Sequence, residues 1–69
     1  MGVIAMELPP WATKEDFERC KKTISNLVKN KTDLDEITLT IMNISYSKGG
    51  DYSERIIFEF AKSYLNLLT

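Results

Sequence analysis

The stretch Ser45-Tyr46-Ser47-Lys48-Gly49-Gly50-Asp51-Tyr52-Ser53-Glu54 (SYSKGGDYSE) decides how this chain folds. It reads as the turn of a β-hairpin between ITLTIMNIS (37–45) and ERIIFEF (54–60), because a glycine pair between β-rich runs is a hairpin signal. It also reads as the end of one helix and the start of another. Lys48 suits a last helical turn and Gly49 the left-handed position after it. Asp51 and Glu54 have the N-cap and N3 spacing of a capping box, in which each side chain satisfies a backbone N–H near the helix start.

Upstream, six of the eleven residues from 36 to 46 are β-branched or aromatic, and Ile37-Thr38-Leu39-Thr40-Ile41 alternates as a half-buried strand does. The alternation slips at Met42, so a single strand needs a bulge there. As a helix, Leu34, Ile37, Ile41 and Ile44 form one seam, and Asp33 with Glu36 supplies a second capping box.

Downstream, Ile56, Ile57, Phe60, Ala61, Tyr64, Leu67 and Leu68 fall within an arc of roughly 140° at about 100° per residue, opposite Arg55, Glu59, Lys62 and Asn66. A strand over 52–60 leaves Tyr64 to Leu68 as a stub. Thr13 caps a third amphipathic segment, from about 13 to 30, with Phe17, Cys20, Ile24, Leu27 and Val28 in an arc of roughly 100°.

The predicted fold is therefore all-α, a compact antiparallel three-helix domain over 13–69 preceded by an extended N-terminal arm over 1–12. The competing reading is α+β, with the first helix packed on a hairpin spanning about 37–60 plus a short C-terminal helix. In the arm, Val3, Ile4, Met6, Leu8 and Trp11 are too apolar for a free tail and are expected to lie on the domain or on a partner.

Composition limits the function classes. A chain of 69 residues forms at most one domain, and it is marginal unless packing is good or a partner adds buried area. It is 43% hydrophobic and 28% charged, an ordinary globular balance, with no run approaching the ~18 apolar residues that span a bilayer. Net charge is −1, so no global field draws it to nucleic acid or anionic lipid. A single cysteine excludes an intrachain disulfide and suits a reducing, cytoplasmic setting; MGVIAMELPP lacks the basic start of a signal peptide. Seven Lys against two Arg, and seven Ile, suit an AT-rich bacterial or phage genome.

No enzymatic constellation stands out. Histidine, the commonest general base and metal ligand, is absent, and Cys20 falls on an apolar seam with no imidazole to activate it. Asp33, Asp35, Glu36, Asp51 and Glu54 sit where helix caps are expected and lack the alternating oxygen ligands and glycine of a calcium loop. Gly49-Gly50 has no phosphate-loop pattern around it. No catalytic residue, metal or cofactor is expected.

Two surfaces remain. In the helical reading Leu39, Met42 and Tyr46 cluster away from the Leu34/Ile37/Ile41/Ile44 seam, Phe58 and Leu65 flank the main stripe of the last helix, and Trp11 adds to them. Such surplus apolar surface marks a protein-binding face. It points to a small non-catalytic interaction module, a regulator, adaptor or inhibitor, with a homodimer as one form its docking can take. The plainer alternative is that these residues are core. The second surface is the stripe Lys14, Lys21, Lys22 and Lys29, which is either a solvated helix face or a polyanion contact in a nucleic-acid-associated protein. The acidic half also admits an inhibitor of a nucleic-acid-binding protein.

Overall fold

A computed structural model describes residues 8–28 and 34–68. Three helices, α1 (Lys14–Ser25), α2 (Leu34–Ser47) and α3 (Glu54–Leu68), each pack against the other two, and no strand occurs among the described residues. The all-α expectation holds, and the hairpin reading of 37–60 is set aside.

SYSKGGDYSE closes α2 and leads into α3. The Gly50 N–H donates to the Ser45 carbonyl at 3.0 Å and the Gly49 N–H to the Tyr46 carbonyl at 3.1 Å, the bond pair of a Schellman motif. Gly49, at φ +130°, holds the position where a side chain is disfavoured. Lys48 lies just past the last turn, as the cap, rather than within it. Ser45, buried on α2, donates its hydroxyl to the Asp51 carbonyl and so ties the helix to the connection that follows.

The next start differs from the expected Asp51/Glu54 capping box. Ser53 is the N-cap of α3: its Oγ accepts from the Ile56 N–H at 3.4 Å and its carbonyl from the Ile57 N–H at 2.9 Å. Asp51 instead accepts the Ser53 N–H on Oδ1 at 2.9 Å, an Asx turn that delivers the chain to the helix. With its carbonyl held by Ser45, Asp51 belongs to the turn, and Glu54 becomes the first helical residue.

At α1, Thr13 and Asp16 form a reciprocal capping box, with Thr13 Oγ1 accepting the Asp16 N–H at 3.0 Å and Asp16 Oδ2 the Thr13 N–H at 3.4 Å. The helix ends at Ser25, short of the expected 30. Ser25 donates its hydroxyl back to the Lys22 carbonyl, and Leu27 and Val28 both donate to the Ile24 carbonyl, so the chain tightens and leaves the helix. The proposed Asp33/Glu36 capping box falls partly outside the described residues.

The core comprises Cys20, Ile24, Val28, Ile37, Ile41, Met42, Ile57 and Ala61. Burying each of its isoleucines contributes about 1.5–3 kcal/mol relative to leaving it in water. On α2 the buried face is Ile37, Thr38, Ile41, Met42 and Ser45, rotated by roughly 50° from the expected Leu34/Ile37/Ile41/Ile44 seam. Ile44 is only half-buried. The rotation brings small side chains to the helix contacts, where Thr38 is tolerated because its hydroxyl donates to the Leu34 carbonyl at 2.7 Å.

Candidate functional site

The arm meets the domain through Trp11. Ala12 N–H donates to the Pro9 carbonyl at 3.0 Å, closing a turn with Pro10 at its second position, where a fixed φ is favoured. The indole stacks on Tyr46, in the last turn of α2 (centroids 4.6 Å, 9° between planes), and on Tyr52, in the α2–α3 connection (5.5 Å, 5°). Trp11 is thus half-buried as a fastener of the chain's own turn. Tyr46 keeps 51% of its surface exposed, whereas the Tyr52 hydroxyl is buried with no hydrogen-bond partner among the described residues. Burial, then the Asp16 carboxylate and neighbouring Tyr46 and Cys20, push the Tyr52 phenol above its usual range.

The expected apolar face on α2 does not survive intact. Met42 is 0% exposed and belongs to the core, so it is withdrawn as a partner-binding residue. Leu39 is half-buried on the outer side of α2 and stays apart from the core cluster. On α3, Leu65 is half-buried against the core, while Phe58 is 41% exposed with the Lys62 ammonium 5.4 Å from its ring centroid. The six residues thus divide among core, arm fastening and surface instead of forming one patch.

The more exposed face lies on the other flank of α3. Ile57 and Ala61 alone are buried among the side chains described there, because Ala61 lets a neighbouring helix approach closely. The core-facing arc is centred between them, which turns one edge of the apolar stripe outward. Ile56 is half-buried outside the core cluster and Leu67 is 85% exposed. Sequence reasoning placed both in the core stripe; the available signal was their position at its edge, farthest from Ala61.

The basic stripe is also interrupted. Lys21 pairs with Glu18 at 3.8 Å and with Asp35 of α2 at 3.4 Å, and its ammonium lies 5.1 Å from the Phe17 ring centroid. It therefore serves the α1–α2 contact. Lys14 and Lys22 are exposed, and Lys29 lies outside the described residues. Lys22, Thr23 and Asn26 of α1 line an open groove of about 430 Å³ with Glu54, Arg55 and Phe58 of α3. Its charges are mixed, and Arg55 already pairs with Glu59 at 3.8 Å.

Cys20 is fully buried, and its thiol is pushed up to about 11 by burial and by the Asp16 carboxylate, offset in part by Arg19. In that setting it is a packing residue, since the thiolate is the reactive form. Among the described residues no group of three or more His, Cys, Asp or Glu side chains is placed to hold a metal ion, and no helix is long and apolar enough to cross a membrane. No protein-family model matches the chain, and no characterised protein or solved structure shows significant similarity to it.

Proposed function

We propose that this protein is a small non-catalytic interaction module, a regulator, adaptor or inhibitor, that docks through the outer apolar flank of α3. The observation that carries the reading is the exposure of Leu67, 85%, on a helix whose Ile56 lies on the same flank, half-buried and outside the core cluster, next to Phe60, which packs its inner side against the core. An aliphatic side chain left in water beside two half-covered ones is surface that association would bury, at about 25 cal/mol for each Å² removed from water. Four of the described groups that could carry chemistry have structural duties: Asp16 and Ser53 cap helices, Lys21 bridges α1 to α2, and Cys20 fills the core.

The test is size-exclusion chromatography of the tagged full chain in extract of its source cells at native abundance, wild type beside Leu67→Asp. Wild type is expected to elute above the monomer mass and the variant to return to it. Wild type eluting as a monomer, or a complex indifferent to Leu67→Asp, overturns the reading.

A further inference from the structure

We propose that residues 8–12 form an autoinhibitory strap: Pro9-Pro10-Trp11 fills an aromatic seat on the α2–α3 turn, and a peptide of the same chemistry, prolines followed by tryptophan, takes that seat when the strap is displaced. The inference does not rest on the α3 flank.

The seat is built by groups outside the arm. Tyr46 stands at the end of α2, where the Gly50 N–H to Ser45 carbonyl and Gly49 N–H to Tyr46 carbonyl bonds fix the backbone. Tyr52 follows Asp51, whose carbonyl is held by the Ser45 hydroxyl and whose carboxylate takes the Ser53 N–H. Both rings are therefore carried on backbone that is fixed without the arm, which lowers the ordering cost of filling the seat.

The arm, by contrast, is held by ring and apolar contact. Its Ala12 N–H to Pro9 carbonyl bond closes its own turn, and among the described residues none of 8–12 makes a hydrogen bond or ion pair to a helix. Trp11 stacks on Tyr46 at 4.6 Å and on Tyr52 at 5.5 Å, and with Ala12 it rests against the rim of the core. The Thr13/Asp16 capping box starts α1 just after the arm, so the helix start stays satisfied when the arm lifts. A segment attached in this way opens at less cost than the domain unfolds.

What the seat takes follows from what it holds. Two rings lying 9° and 5° from the indole plane recognise a flat aromatic face, and Tyr46 stays 51% exposed with the indole in place, so the seat is reachable from solvent. Pro9 and Pro10 stiffen the approach to Trp11 and reduce the entropy lost on docking. Proline-rich segments on aromatic surfaces are a recurring mode of peptide recognition. A short tether holds the arm at an effective concentration on the order of millimolar, enough to exclude a weakly bound free peptide.

A synthetic peptide of residues 8–12, blocked at both ends and carrying 5-fluorotryptophan, reads the seat by fluorine NMR. On the full chain with Trp11→Ala the 222 nm band is expected to be unchanged, and the fluorine line should shift and saturate below about 5 mM. On wild type the same peptide should bind about fivefold more weakly or worse, because the arm competes, and on Trp11→Ala/Tyr46→Ala the shift should vanish. Pro9→Gly/Pro10→Gly in the peptide should weaken binding at least about threefold. No shift on Trp11→Ala overturns the seat, equal binding to wild type and Trp11→Ala overturns the strap, and indifference to the prolines overturns the peptide class. A Trp11→Ala chain that loses its 222 nm band overturns the separable arm and makes Trp11 part of the core.

Discussion

Replacing Tyr52 by Phe is expected to stabilise this protein. The Tyr52 ring stacks on Trp11 at 5.5 Å and nearly parallel, and Phe retains that ring. Only the hydroxyl is lost, and it is buried without a hydrogen-bond partner among the described residues. Taking a hydroxyl from water and leaving it unpaired costs about 1–3 kcal/mol on the scale of protein substitutions. The gain should be about 1–2 kcal/mol, since the unfolded chain loses only a hydrated group. For a domain of this size that corresponds to a rise in Tm of roughly 4–8 °C per kcal/mol, or a urea midpoint shift on the order of 1 M.

Urea unfolding followed at 222 nm suits the measurement, because Trp11 emission would respond to its changed neighbour. The pH dependence supplies an internal check. The folded phenol titrates above its ordinary 10.0, so between the two values the folded state keeps a proton that the unfolded state releases. Wild-type stability is therefore unaffected by this titration below pH 10 and falls as pH rises from there through the folded value, and the Phe variant should lack that fall. A Tyr52→Phe protein that is less stable by 0.5 kcal/mol or more, at about neutral pH, would refute the reasoning, because the hydroxyl would then be donating a bond that the substitution removes.

Three further outcomes are expected. Burial pushes the Cys20 thiol up to about 11 from 9.0, so its contribution is intact below pH 9 and falls as pH rises toward 11, by about 3 kcal/mol at most; Cys20→Ala should flatten the urea midpoint in that window relative to wild type. Gly49→Ala should cost about 1–2 kcal/mol by backbone strain alone, because a Cβ there meets no atom within 4 Å, and a synthetic chain with D-alanine at 49 should be at least as stable as wild type by thermal melting. Met42→Asp should abolish the cooperative melt by burying a carboxylate at a 0% exposed position, whereas Leu67→Asp should leave the melt within about 0.5 kcal/mol when measured on monomer.

The elements of the fold were legible where backbone chemistry speaks locally. Lys48-Gly49-Gly50 could end a helix because a left-handed glycine can return two N–H groups to the last turn, and Gly49 and Gly50 do so. The start of α3 was less legible, since Asp51 and Ser53 are equally competent caps. The choice between them is made by Ser45, which holds the Asp51 carbonyl from six residues upstream. Nothing local to either residue carries that information.

The faces were harder to read than the helices, and for a single reason. Hydrophobicity ranks side chains by what they lose in water, but helices meet where they can come closest. That favours small residues: Ala61 on α3, Cys20 and Thr23 on α1, Thr38 and Ser45 on α2 are all buried. Centring each helix on its small buried residues turns α2 so that Met42 enters the core and Ile44 moves toward the rim. It turns α3 so that Leu67 leaves the core. Close packing at Ala61 thus turns the Ile56 and Leu67 edge of the α3 stripe toward solvent, so the proposed docking flank depends on that residue. Enlarging that residue to Leu should push α3 outward or rotate it, at a cost of about 1–3 kcal/mol in urea unfolding, because the 0% exposed site has no room for the added carbons. An Ala61→Leu chain that folds, melts cooperatively and is as stable as wild type would show that α3 does not owe its orientation to close packing at this position.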